Sequence, residues 1–277
     1  MKIAFIVGVA LLGGVIVEGL LLFFLLPMLQ DAGSVRKNYL GNDIPVSVGL
    51  SFPLAMMLVL LAYALLGCYQ NSYHWFILGL MSISFLGFID DMLGQRDTLG
   101  FKGHFGALFR GRLTTGGLKA VGGGIIALFL AIFMGGEWWN IILNTLILAL
   151  FTNMMNLLDL RPGRAVKGFL IFLLAITIIA MGRMDYFLLA PLLGAVLCYF
   201  PQDLQARAMM GDAGSNVLGL SLGYLVVTSL SLTARLGFIL FLLAMHLYTE
   251  KYSLTKTIEN SVLLKTIDQL GRSKANG

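Results

Sequence analysis

Charge is what this 277-residue sequence has least of. Asp, Glu, Lys and Arg make up 12% of it, against roughly 25% in soluble domains. Apolar residues make up 58%, and the mean hydropathy is +0.88. That balance excludes a soluble globular domain. Cysteine is almost as scarce. Cys68 and Cys198 are the two that occur, at the ends of apolar runs and without metal or redox spacing, so they read as small packing residues. Charge is also missing from the middle of the apolar runs apart from Glu18, and inverted repeats are not found. Both absences count against a transporter.

Long apolar runs are present instead. A bilayer crossing needs about 20 apolar residues, and nine runs are candidates: 3–29, 48–68, 73–89, 120–134, 141–156, 168–181, 186–200, 215–231 and 236–248. Glycine and proline inside them are no objection, because bilayer helices tolerate both. The first run is too long for a signal-peptide core and lacks a small-residue cleavage pattern, so it reads as a retained span. Glu18 reads as a carboxyl facing the bundle, paired or protonated there. The expected fold is an all-α integral membrane protein, a polytopic bundle of about nine transmembrane helices. Residues 1–250 form one transmembrane, catalytic-type domain, and residues 251–277 a cytoplasmic amphipathic tail.

The cations orient the bundle. On the nine-span reading 16 of the 19 Lys and Arg fall on one face, and only Lys2, Arg183 and Arg235 on the other. The positive-inside rule then puts the N-terminus outside and the C-terminus in the cytoplasm. The net charge of +5 describes that one face, which suits anionic lipid headgroups or a phosphorylated substrate. It gives no reason to invoke nucleic acid.

Nearly everything polar lies in four segments on the basic face. The first, RKNYLGNDIPVSVG at 36–49, is ordinary loop chemistry by itself. The second opens with Asp90 and Asp91 at the end of an apolar helix and continues as a glycine-rich, cationic stretch to Lys119. Neighbouring helix positions diverge by about 100°, so one aspartate of the pair is expected to face a shared site. The glycine-rich stretch suits a basic surface loop and a substrate lid equally. In the third, FTNMMNLLDLRPGRAVK at 151–167, Asn153, Asn156 and Asp159 recur every three residues and form one polar stripe on a helix. Asp159 suits a metal ligand or a turn cap, and Arg161 and Arg164 suit a fork onto phosphate oxygens. The fourth, MGDAGS at 210–215, brings Asp212 and the flexible backbone of Gly214 and Ser215 to the start of a helix, whose free amides favour an anion. Polar groups so placed are costly in hydrocarbon unless they face a cavity, a partner or a ligand.

These four segments, FIDDMLG, NMMNLLD, MGDAGSNVLG and the Ile-Pro loop before them, resemble the motifs of the polyprenyl-phosphate N-acetylhexosamine-1-phosphate transferase superfamily, glycosyltransferase family 4. They occur in that family's order across roughly residues 30–250. Departures are visible: Pro162 stands where the family continues with a second aspartate, Leu50 follows Gly49 where a glycine pair is common, and the late histidine-containing motif and a clear final span are missing, with only His246 and Glu250 near the motif's place. The resemblance implies transfer of a sugar-1-phosphate from a UDP-N-acetylhexosamine to undecaprenyl phosphate with release of UMP, for cell-envelope glycan synthesis such as peptidoglycan. It implies Mg2+ on Asp212 assisted by Asn156 or Asp159, and Asp90, with Asp91 beside it, at the lipid phosphate. It also implies Lys119, Arg161 and Arg164 as phosphate-neutralising cations, with Asn153, Asn156, Gly214 and Ser215 in substrate binding. The alternative is a non-catalytic relative that binds polyprenyl phosphate or scaffolds an envelope-assembly complex. The expected location is the cell membrane, with membrane lipids as neighbours, and the sequence is compatible with a homodimer.

After Tyr248, Leu254, Ile258, Val262, Ile267 and Leu270 trace an apolar seam between polar residues. An amphipathic helix on the cytoplasmic leaflet accounts for this, as does a docking helix for a partner subunit.

Overall fold

The computed structural model describes residues 2–94 and 114–272, with side chains from residue 5 onward. The stretch 95–113, read above as a basic loop or a lid, and Lys274 lie outside the described residues. Nine long helices run through the rest: α1 (Lys2–Asp31), α2 (Ser51–Leu65), α3 (Tyr73–Leu93), α4 (Thr115–Met134), α5 (Trp138–Leu158), α6 (Arg164–Ala180), α7 (Tyr186–Leu204), α8 (Gly211–Ser229) and α9 (Leu232–Lys251). Each matches one of the nine apolar runs, and most extend past it by a few residues. The extension comes from polar ends that an apolar count omits. Thr114, Asp185 and Ser231 cap α4, α7 and α9 by accepting a backbone N–H three residues on.

Seven of the nine helices are long and apolar enough to cross a membrane by length and composition. The two others are informative. The α6 helix has 17 residues, and α8 carries Asp212, Asn216 and several small residues yet is buried at every position from Ala213 to Val227. Protein surrounds α8, with α5 and α3 its principal neighbours. A helix that meets no lipid needs no lipophilic surface, and small residues let its neighbours approach closely. Gly219 shows how closely: a β-carbon there would lie 2.4 Å from the Phe151 carbonyl oxygen on α5. On the opposite side of the bundle α1 packs on α7, where Gly14 meets the Pro191 backbone and Gly194 meets that of Leu11.

Hydrogen bonds identify the two ends of the bundle. At one end Tyr73 at the start of α3 donates to Asp185 before α7 (2.9 Å), and Arg235 near the start of α9 donates to Asn140 and Asn144 near the start of α5 (3.3 and 3.1 Å). At the other end the last turns of α3 and α5 meet the first two turns of α8. The connection between α1 and α2, expected as an irregular loop, holds a small antiparallel hairpin of β1 (Val35–Lys37) and β2 (Asp43–Pro45), with Val35 opposite Pro45. Asn38 builds its turn by accepting the amides of Leu40 and Asn42 (2.9 and 3.0 Å).

The segment after α9 folds as two short helices, α10 (Leu254–Asn260) and α11 (Val262–Gln269). Their polar side docks on the bundle. Asp268 is buried and accepts a two-pronged bond from Arg164 on α6 (2.7 and 3.1 Å), and Arg272 reaches both Asp268 (3.0 Å) and the Pro162 carbonyl (3.0 Å). Ile258 is buried, while Val262, Leu263 and Leu270 stay exposed. Burial works against the Asp268 charge, but the Arg164 and Arg272 guanidiniums outweigh it and hold its carboxyl below the usual carboxylate range.

Two measurements test this packing. Gly219→Val overpacks the contact with α5 at a cost of about 1–3 kcal/mol, so the thermal unfolding midpoint in detergent falls while a substitution on the exposed face of α1 leaves it in place. A depressed carboxylate contributes stability that is present above its unfolded pKa of about 3.9 and lost as pH falls through the lower folded value. Hydrogen exchange of residues 254–269, corrected for its intrinsic pH dependence, therefore shows protection at neutral pH that disappears below about pH 4, and Asp268→Asn removes it at neutral pH as well.

Candidate active site

The β-hairpin and the polar helix ends meet over the first turn of α8. Hairpin and helix are joined by backbone: Met209 donates to the Pro45 carbonyl (2.8 Å), Val48 to that of Met209 (3.1 Å) and Gly49 to that of Met210 (3.0 Å). Asn38 adds a side-chain bond to the Ala206 carbonyl (3.0 Å). The 3-10 turn at Val48–Leu50 then presses Gly49 against Gly214, so closely that a β-carbon on either residue would strike the other's backbone. Gly214 is thus a packing glycine at the hairpin contact.

Asp91 is the point where these parts converge. Its carboxylate is buried and accepts from Ser47 Oγ (2.6 Å), the Asp212 amide (3.1 Å) and the Ala213 amide (3.3 Å). It therefore caps α8 from another helix, filling the anion position that the free amides of MGDAGS suggested. An anion at a helix N-terminus satisfies unpaired N–H groups and interacts favourably with the helix dipole. Gly211, at φ +66°, makes the approach feasible, since a β-carbon there would lie 2.3 Å from Asp91 Oδ2. Ser47 takes a left-handed conformation, φ +63°, to present its hydroxyl, and Arg36 holds the Asp91 carbonyl. Asp91 is accordingly occupied, whereas Asp90 has its carboxylate partly exposed, 3.8 Å from Lys119 Nζ.

Lys119, in the first turn of α4, lies between two carboxylates and also pairs with Asp212. Next to this pair a cleft of about 660 Å³ opens, lined by Arg36, Lys37, Asp91, Asp159, Arg161, Asp203 and Asp212 among others. Asp159 ends α5 and is half-buried. Burial, followed by the negative charges of Asp203, Asp212 and Asp91, holds its carboxyl well above the usual range, with Lys119 opposing. Asp203 was not among the residues expected from the sequence. It is buried at the end of α7 and accepts the Gly163 amide (3.0 Å). Its signal was the same as that of Asp90 and Asp91, an aspartate closing an apolar run. It also stands beside the turn in which Pro162 replaces a second motif aspartate.

Several expected ligands have other partners. Asn156 donates to Asn216 (2.7 Å) and accepts from Ser215, so Asn156 and Ser215 are used to clamp α5 to α8. Arg164 is buried away from the cleft, with Nε, Nη1 and Nη2 all engaged by Asp268 and Thr255. It anchors the tail because position 164 faces α11, while Arg161, on the far side of the Pro162-Gly163 turn, lines the cleft without an ion pair among the described residues. Asn153 is half-buried on α5 and is not part of the cleft lining.

A helical bundle spanning a membrane, with carboxylates and cations gathered in one cleft at its end, is the arrangement of a membrane protein that handles phosphorylated ligands. The comparison with known families gives the class its name. The family model described as Glycosyl transferase family 4 matches residues 73–230, more than half of the 277 residues. The chain belongs to that family, within the polyprenyl-phosphate hexosamine-1-phosphate transferase superfamily, and is a transferase of the sugar-phosphate type with polyprenyl phosphate and membrane lipids as partners. No curated protein matches the chain.

Asp91 and Arg161 separate structure from ligand contact. Asp91→Asn places an amide against backbone N–H groups and costs about 1–3 kcal/mol, lowering the thermal midpoint of the purified protein by several degrees. Arg161→Gln changes stability by no more than about 0.5 kcal/mol, and its midpoint stays at the wild-type value.

Proposed function

We propose that the protein transfers N-acetylhexosamine-1-phosphate from a UDP-sugar to undecaprenyl phosphate, releasing UMP, on the cytoplasmic side of the cell membrane, for cell-envelope glycan synthesis. One observation carries this reading: Asp91, Asp159, Asp203 and Asp212, from four separate parts of the chain, line one cleft together with Arg36, Lys37 and Arg161. Phosphoryl transfer consists mostly of positioning and charge neutralisation, and such a cleft supplies both. The sequence topology, which assigns 16 of the 19 Lys and Arg to the side carrying the four polar segments, supports the cytoplasmic assignment.

The donor set fits Mg2+. Among the described residues no three His, Cys, Asp or Glu side chains form a ready-made cage, but Mg2+ is commonly held by one or two carboxylates with substrate phosphates and water. Asp212 and Asp90, which flank the Lys119 ammonium, fit that pattern. Held there with the diphosphate of the UDP-sugar, Mg2+ supplies charge neutralisation at the reacting phosphates. The chain's own residues do the rest. Arg36, Lys37 and Arg161 draw the diphosphate into the cleft, and the Lys119 ammonium beside Asp90 and Asp212 neutralises phosphate charge. Asp90 orients the lipid phosphate, which is already largely ionised because its second pKa is about 6. An oxygen of that phosphate bonds to the sugar-bearing phosphorus as the bond to the bridging oxygen breaks, and UMP departs with the bridging oxygen. Asp203 beside Gly163 provides a carboxylate near the place where Pro162 lacks one, which favours an active enzyme over a non-catalytic relative.

The test is UMP release by purified protein with undecaprenyl phosphate, Mg2+ and a panel of UDP-N-acetylhexosamines. Turnover is expected with at least one donor, lost on chelation, and reduced on the order of 10²-fold or more in Asp90→Asn and Asp212→Asn. Retained polyprenyl-phosphate binding without turnover of any donor would sink this reading in favour of a non-catalytic, lipid-binding role.

A further inference from the structure

The end of the bundle away from the cleft has its own cavity, of about 530 Å³, between the starts of α3, α5 and α9 and the ends of α4 and α8. Arg235 reaches into it. This cation is one of only three Lys or Arg assigned to that face, and it sits in the first turn of α9, where the positive end of the helix dipole makes a cation unfavourable. Its Nη1 donates to Asn140 Oδ1 and Asn144 Oδ1, which are neutral acceptors, and its buried Nε has no partner among the described residues. Among the described residues no carboxylate lines the cavity. Two acidic groups at this end have other partners: Asp185 accepts from Tyr73 and the Leu188 amide, and Glu137 accepts from Trp139 Nε1. A guanidinium with an unsatisfied buried donor and no ion-pair partner among the described residues is costly unless an anion completes it.

We propose that this cavity binds a phosphate-bearing anion at the bundle end opposite the catalytic cleft. Arg235 supplies the charge and the fork of donors that matches a phosphate group. Because the carbonyl oxygens of Asn140 and Asn144 face the guanidinium, their NH2 groups remain as additional donors. Trp75, stacked on Phe133 with ring centroids 3.8 Å apart, and Tyr224 give the cavity an apolar wall suited to a glycerol or acyl portion. Trp138 and Trp139 at the start of α5 are exposed at this end, as interfacial anchors are at headgroup depth. The shared chemistry is phosphate, from a phospholipid headgroup of that leaflet or from free phosphate. The site is independent of the chemistry performed in the cleft.

The experiment is a thermal-shift titration of the full chain in a maltoside detergent, which carries no phosphate, with phosphatidylglycerol in one arm and inorganic phosphate in the other. Native mass spectrometry counts retained lipid in parallel. Stabilisation by the lipid alone identifies a headgroup site, and stabilisation by both identifies a site that takes free phosphate as well. Arg235→Gln is expected to weaken the binding at least tenfold, and Asn144→Asp, nearly isosteric and with its own carboxylate against Arg235, to do the same with the fold intact. Arg183→Gln, at the same end but outside the cavity lining, stays within twofold of wild type. Absence of a shift in both arms, or undiminished binding by Asn144→Asp, overturns the proposal.

Discussion

The site end of this protein depends on a single buried carboxylate. Asp91 is on α3, but its oxygens are bonded to Ser47 of the loop before α2 and to the Asp212 and Ala213 amides that begin α8. A buried carboxylate without partners is costly, and so are the unpaired amides of a buried helix start. Each cancels the other's penalty only when three distant segments are brought together. That one requirement fixes the hairpin, the last turn of α3 and the first turn of α8, and so positions Asp212 in the cleft lining with Lys119 and Asp90 beside it.

The central position of α8 follows from the same economy. Its sequence is too polar and too rich in small residues to face lipid, so it is enclosed by helices that can. Enclosure in turn lets Asn156, Ser215 and Asn216 bond across the α5–α8 contact. Polar groups inside the bundle therefore divide into those consumed in holding helices together and those turned toward the cleft. The family's signature residues fall on both sides of that division, with Asn156 and Ser215 in the first group and Asp159 and Asp212 in the second.

The tail contributes a second, independent link. Through Asp268 it gathers Arg164, and through Arg272 it holds the Pro162 carbonyl. The turn that carries Arg161 is thus fastened from below by a segment outside the matched family region. This arrangement also accounts for the apolar residues left exposed on α11: the polar side of the tail is used for docking, and the other side faces away from the bundle.

Hydropathy alone determined the all-α membrane class, the existence and order of the nine helices, and which four segments carry polar chemistry, because burying 20-residue apolar runs and excluding charge from hydrocarbon are constraints local in sequence. The aspartate pair, Asp159 and Asp212 stood out for the same reason. The partner of each polar side chain was decided only by the tertiary structure. Arg161 and Arg164 differ in fate although they are three residues apart, since one lines a cleft and the other meets Asp268 from residues 104 positions away. Asp203 gained its role from the Gly163 amide before α6, and Ser47 from the Asp91 carboxylate of α3. Hydrogen-bond pairing is a long-range choice that spacing along one chain segment does not encode.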